Sequence, residues 1–194
     1  GAALAGMRPI AEIQFGGFAS LAMNSLVNNA AMLRWRWGAD VPLTVRIPIG
    51  ARTSSGPFHA KPIEAWLSND PGLVVLAPSM PQDAYDLLLD AIALPDPCVF
   101  LEHIGLYGLR GGRTGWGDSI SQDVDTAKIH TDLDKGPGPH RIGTARKVRI
   151  GRDLTIITWS AMVHVALRAA EQLATEHGIE VEVIDLRTLL PWDE

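Results

Sequence analysis

Short apolar runs alternate with amphipathic stretches along this chain. The runs are IAEIQF (Ile10–Phe15), PLTVRI (Pro42–Ile47), LVVLAP (Leu73–Pro78), CVFLEH (Cys98–His103), LTIITW (Leu154–Trp159) and VEVIDL (Val181–Leu186). Several are continuously apolar and rich in Val and Ile, the pattern of strands covered on both faces. Between them lie helical periods. Leu21 to Trp35 carries Leu26, Ala30 and Leu33 on one side. PQDAYDLLLDAIAL places Pro81 near a helix start, Asp83 in its first turn, and Leu87, Leu88, Ala91 and Ile92 at helical spacing. Ser160 to His177 sets Val163, Leu167, Ala170 and Ala174 on one stripe, with Gly178 placed to end it. Alternating strand and helix predict an α/β fold with a mainly parallel sheet and helices on both faces, followed by the start of a second α/β domain.

One stretch breaks the rhythm. From Gly108 to Arg141 the chain is rich in Gly, Asp and Pro and has no sustained period. The expected organisation is therefore a first domain over 1–108, a linker over 109–141 and a partial second domain over 142–194. The linker glycines do not make a phosphate loop, because no Gly-Lys-Ser/Thr follows them and no clear helix supplies an N-terminal dipole. The ends, GAALAGM and TLLPWDE, read as interior segments, so the chain is expected to be cut at both ends.

Composition narrows the classes. With 46% hydrophobic and 20% charged residues, the chain is that of an ordinary globular protein. A net charge of −5 with no long basic run argues against a nucleic-acid partner. No apolar run approaches the length of about 20 residues that spans a bilayer, so no membrane is expected. The single cysteine, Cys98, excludes an intrachain disulfide and a Cys-based zinc cluster, and its apolar setting predicts a buried, inert thiol in a reducing compartment.

Candidate chemistry centres on SSGPFHAKPIEAWL. A Gly56-Pro57 turn leads to His59, just ahead of a helix-like run from Pro62 to Leu67. A histidine there is either a solvated surface residue or an acid-base group, since its side chain titrates near neutral pH. Arg46 closes the strand before that loop and Glu64 follows it, so the three mark a strand-end site, where α/β sheets bind ligands. Phe15 and Phe18 flank two glycines in QFGGF. They are either core, or an aromatic platform under a flat heterocycle that the glycines allow to approach. No Gly-x-Ser-x-Gly, His-Glu-x-x-His or paired-Cys motif is present.

Motifs in one order carry a family resemblance: GMRPIAEIQFGGF, TVRIPIG, GPFHAKPIEAWLSNDPGLVVLAPSMPQDAYDLLLDAI, LPDPCVFLEHIGLY, LTIITWSAMVHVALRAAEQL and VEVIDLRTLLPWD. Together they resemble the beta chain of the thiamine-diphosphate-dependent first component of 2-oxo acid dehydrogenase complexes. The resemblance implies a pyrimidine-binding domain and the start of a transketolase-type C-terminal domain. It implies oxidative decarboxylation of pyruvate or a branched-chain 2-oxo acid, with acyl transfer to a lipoyl acyltransferase. It also implies an alpha chain, or a fused alpha-type domain, holding the diphosphate and its Mg²⁺, a second beta chain, and a cytoplasmic setting in bacteria or the mitochondrial matrix in a eukaryote. Residue by residue, Phe18 packs on the aminopyrimidine, Gln14 lies against the same ring, and His59 assists proton and acyl transfer. A potassium site maps to Leu43, Ala91, Ile92, Leu94 and Asp96.

The chain departs from the family pattern in places. His59-Ala60-Lys61 stands where the family usually reads His-Ser-Gln, Gly17 replaces the usual acid of that motif, and Leu94 stands where Asp is common. The family's activating glutamate lies upstream of Gly1, so these residues alone are expected to be inactive. A transketolase or deoxyxylulose-phosphate synthase relative shares the same domain, and a non-catalytic assembly module is the reading from a different class.

Overall fold

The computed structural model describes residues 1–50, 56–107 and 142–194. In chain order its elements are β1 (Ile10–Glu12), a 3₁₀ turn (Gly16–Leu21), a π-helical segment (Asn24–Ala30), α1 (Ala31–Trp37), β2 (Thr44–Ile49), α2 (Glu64–Ser68), β3 (Val74–Leu76), α3 (Pro81–Ala93), β4 (Cys98–His103), β5 (Arg146–Arg149), β6 (Leu154–Thr158), α4 (Ala161–His177), β7 (Val181–Asp185) and β8 (Thr188–Leu190). The first sheet runs β1-β2-β4-β3-β8, parallel except for β8. The second runs β5-β7-β6, with β6 parallel and β5 antiparallel to β7. The mainly parallel α/β architecture expected from the sequence is present. No helix among the described residues is long and apolar enough to cross a membrane. The expected linker lies outside the described residues.

The central strands β2 and β4 are buried almost throughout. Successive side chains point to opposite faces, so β3 and β4 feed two cores while β2 gives Val45, Ile47 and Ile49 to one and Arg46 to the other side. Val45, Ile47, Ile49, Val75, Val99 and Leu101 pack with Leu26, Ala31, Ile63 and Leu67 on one face. Leu76, Cys98 and Phe100 pack with Leu87 and Ala91 of α3 on the other. Cys98 sits in this second core, where burial, with Asp96 adding, pushes its thiol up to about 12, which makes it an unreactive hydrophobe. By contrast β6, one of the apolar runs, is an edge strand with Leu154 and Ile157 exposed.

The differences from sequence expectation have local causes. The period over Leu21–Trp35 predicts one helix, yet the segment is 3₁₀, then π, then α. Its asparagines compete for the helix's own hydrogen bonds: Asn29 Nδ2 donates to the Asn24 carbonyl and Asn28 Nδ2 to Asn24 Oδ1, both at 3.0 Å. Helix α2 starts at Glu64, with Ile63 before it at φ −123° and ψ 9°, outside helical geometry. Strand β2 continues three residues past Arg46. Strands β5 and β8 went unread: one is mostly Arg and Lys, the other is short and ends against Pro191.

Helix α3 carries no basic residue in its last turn. Arg8 supplies one from a distant segment, its Nη1 donating to the carbonyls of Ile92, Ala93 and Leu94 at 2.7, 2.8 and 3.0 Å. A cation on the unpaired carbonyls of a helix end is favourable for both hydrogen bonding and dipole.

Polar groups join the two sheets. Antiparallel pairing of β8 with β3 places Arg187 over the start of α3. Arg187 is buried, with φ 57°, and donates from Nη1 to Asp83 Oδ1 at 3.1 Å and from Nε and Nη2 to the Thr144 carbonyl. Arg146 pairs with the other Asp83 oxygen at 2.8 Å. Asp185 accepts from the Ser79 hydroxyl and from the Arg187 backbone N–H, while His164 Nε2–H donates to the Ser79 carbonyl at 2.8 Å. Burial is the main cause that raises the Asp185 carboxyl to about 6, and burial lowers the His164 imidazole.

Two outcomes follow. Arg187→Ala leaves Asp83 buried with one partner fewer and should cost about 3 kcal/mol in urea unfolding, the scale of a broken buried pair. Asp185 has its folded pKa above its unfolded value, so the stability it contributes is present below the unfolded pKa and fades as pH rises through about 6. Relative to Asp185→Asn, the unsubstituted chain should lose stability between pH 4 and 6. Parallel urea midpoints across that range would contradict the assignment.

Candidate functional site at the strand ends

The loops after β1 and β2 meet at the carboxyl end of the first sheet. Phe15 leaves β1 extended, and the 3₁₀ turn that follows carries Phe18 outward, 45% exposed. The His59 ring stands edge-on to both, 4.7 Å from Phe15 at 78° and 5.7 Å from Phe18 at 81° between ring planes. Such T-shaped contacts favour one orientation of the imidazole. Gln14 is exposed beside them.

Gly16 and Gly17 make the contact possible. A Cβ on Gly16 would stand 2.7 Å from the Lys61 carbonyl oxygen, and one on Gly17 would collide with the Phe58 carbonyl. The glycines therefore admit the backbone of the His59 loop, and the ring they set free is Phe18. Of the residues expected at the site, the fold gathers Phe15, Phe18 and His59 and places Gln14 next to them.

A second group lies at the same sheet end. Arg46 pairs with Glu102, Nη2 to Oε2 at 2.9 Å, and the Tyr107 hydroxyl donates to the same carboxylate. Burial, then its hydrogen bond to Glu102, raises the Tyr107 phenol; Arg46's own hydrogen bond to Glu102 is the main cause raising its guanidinium. His103 lies against Gly50, whose φ of 85° and missing Cβ leave room for the ring. Its Nδ1 accepts from the Gly105 N–H at 3.0 Å, and burial lowers its pKa against an opposing pull from Glu64. These residues line a cavity of about 510 Å³ with Ser79, Phe100 and apolar neighbours. The sequence reading named only Arg46 of this group. The signal available for the others was the Glu102-His103 pair closing an otherwise apolar strand. Glu64 meets the second sheet instead, accepting from Trp159 Nε1 at 3.5 Å.

Leu43, Ala91, Ile92, Leu94 and Asp96 fall at or near the opposite, amino end of the parallel strands. Arg8 occupies the carbonyls of Ile92 and Leu94, Leu43 O accepts the Cys98 N–H at 2.8 Å, and the Asp96 carboxylate pairs with Arg34. A guanidinium on the carbonyls does not fit a potassium cage. Phe18 does fit a flat ring: a half-exposed aromatic face braced by His59. Among the described residues no group of three or more His, Cys, Asp or Glu is placed to hold a metal ion.

The chain is similar to known proteins. Residues 1–109 match the family model of the transketolase pyrimidine binding domain, and residues 143–194 match that of the transketolase C-terminal domain. The whole chain aligns at 40% identity with the pyruvate dehydrogenase E1 component subunit beta of Bacillus subtilis, covering 54% of it. It aligns at 38% with the 2-oxoisovalerate dehydrogenase subunit beta of the same organism, covering 54%, and at 38% with the acetoin:2,6-dichlorophenolindophenol oxidoreductase subunit beta of Cupriavidus necator, covering 52%. The chain thus spans about half the length of the curated relatives it matches. A split-gene transketolase solved as an inactive beta4 tetramer shares the fold over 98% of this chain and 53% of its own, with a TM-score of 0.69 at 20% identity. With the QFGGF turn, the His59 loop and the second sheet in place, the chain belongs to the transketolase pyrimidine-binding domain family and continues into the transketolase C-terminal domain.

Proposed function

We propose that this chain is the pyrimidine-side half of a thiamine-diphosphate-dependent 2-oxo acid dehydrogenase, acting on pyruvate or a branched-chain 2-oxo acid in the cytoplasm. The observation that carries the reading is the edge contact of His59 with Phe15 and Phe18, which presents one exposed aromatic face and one titratable ring at the carboxyl end of the sheet. Phe18 stacks on the aminopyrimidine and Gln14 flanks it. Thiamine diphosphate, when bound, supplies the nucleophilic carbon and the electron sink for decarboxylation. His59 holds and moves a proton on its imidazole during acyl transfer, kept in place by the two phenyl rings. An alpha chain or alpha-type domain holds the diphosphate and Mg²⁺, a second beta chain completes the assembly, and a lipoyl acyltransferase takes the acyl group.

Two substitutions in the full-length protein with its partner chain test this. Phe18→Ala should weaken thiamine diphosphate binding by about 0.5–1.5 kcal/mol, read by calorimetry. A half-exposed ring contributes little to the core, so a large fall in thermal stability with unchanged binding would sink the assignment. His59→Ala should slow acyl transfer to the lipoyl partner by about 10²–10⁴-fold, while decarboxylation with an artificial electron acceptor falls less. Intact acyl transfer would return His59 to the class of surface residues.

A further inference from the structure

The relatives named above divide by substrate charge: a 2-oxo acid is an anion at neutral pH, whereas acetoin is uncharged. Identities of 38–40% to both kinds do not choose between them. Lys61 does. It lies two residues after His59, and its carbonyl is packed on Gly16. Its aliphatic stem runs over Gly17, with Cδ 3.7 Å from where a Cβ would stand. Its ammonium lies 5.9 Å from the centre of the half-exposed Trp66 ring, a weak contact that still leaves it open to water. No carboxylate among the described residues forms an ion pair with it, and the nearest acid in sequence, Glu64, is turned to Trp159. With no carboxylate paired to it among the described residues, this cation, on the loop that carries His59, attracts an anion toward that loop.

We infer that Lys61 is a specificity residue that draws the carboxylate of the substrate, so that the parent enzyme takes a small 2-oxo acid in preference to an uncharged ketol. This rests on the proposed function. The test uses the full-length protein assembled with its partner chain. Oxamate, an unreactive anionic isostere of pyruvate, and oxamide, its uncharged counterpart, are titrated into the unsubstituted complex and into Lys61→Gln and Lys61→Arg. Oxamate should bind about fivefold more weakly to Lys61→Gln, the upper size of an exposed charge contact. Lys61→Arg should retain the affinity, and oxamide should not distinguish the three. Added salt should weaken oxamate binding to the unsubstituted complex and affect Lys61→Gln less. Turnover should show the same split, with KM for pyruvate raised in Lys61→Gln and KM for acetoin unchanged. Equal oxamate affinity in all three, or equal losses for oxamate and oxamide, overturns the inference. A complex that turns over neither substrate sinks the dehydrogenase reading itself, and the oxamate titration still decides the role of Lys61.

Discussion

The parallel register of β2 against β4 is the constraint on which the rest depends. Thr44 to Ile49 pair one for one with Cys98 to His103. A slip of one residue in β2 would turn Val45, Ile47 and Ile49 out of the first core and Arg46 into it. That register carries Gly50 and His103 to the same sheet end, brings Arg46 within reach of Glu102, and launches the loop that returns as His59. It also sends Leu43 and Asp96 to the other end. Site and anti-site are thus separated by the direction of the strands before any side chain is considered.

A second constraint joins the sheets. Buried charges are tolerated only when paired and hydrogen-bonded. Asp83 meets two arginines of the second unit, and Asp185 meets Ser79 of the first. The cluster fixes one relative placement through direction-dependent bonds, where an apolar seam would allow sliding. It also places Trp159 against Glu64, so the helix behind the His59 loop is braced from the second sheet.

The chemistry is assembled from strand ends. His59 takes its orientation from two phenyl edges and its closeness from two absent side chains. This is preorganisation by packing.

The sequence by itself determined the fold class. Continuous apolar runs and helical periods mark β2, β4, β7, α3 and α4 because burial on both faces or on one stripe leaves a direct trace in composition. It also determined the QFGGF turn and His59 as residues of interest, and ordered motifs pointed to the family. Tertiary structure decided the rest. Strand β5 is charged and β8 is short, so only their partners reveal them. The asparagine-driven change of helix type over residues 16–37 depends on side-chain bonds that periodicity does not encode. The Arg46–Glu102–Tyr107 group unites residues from distant parts of the chain. The fate of the α3 carbonyls turned on Arg8, more than eighty positions away, and the purpose of Gly16 and Gly17 on which backbone approached them. Apart from the local asparagine bonds, the deciding contact lies between segments remote in sequence, and local pattern holds no record of it.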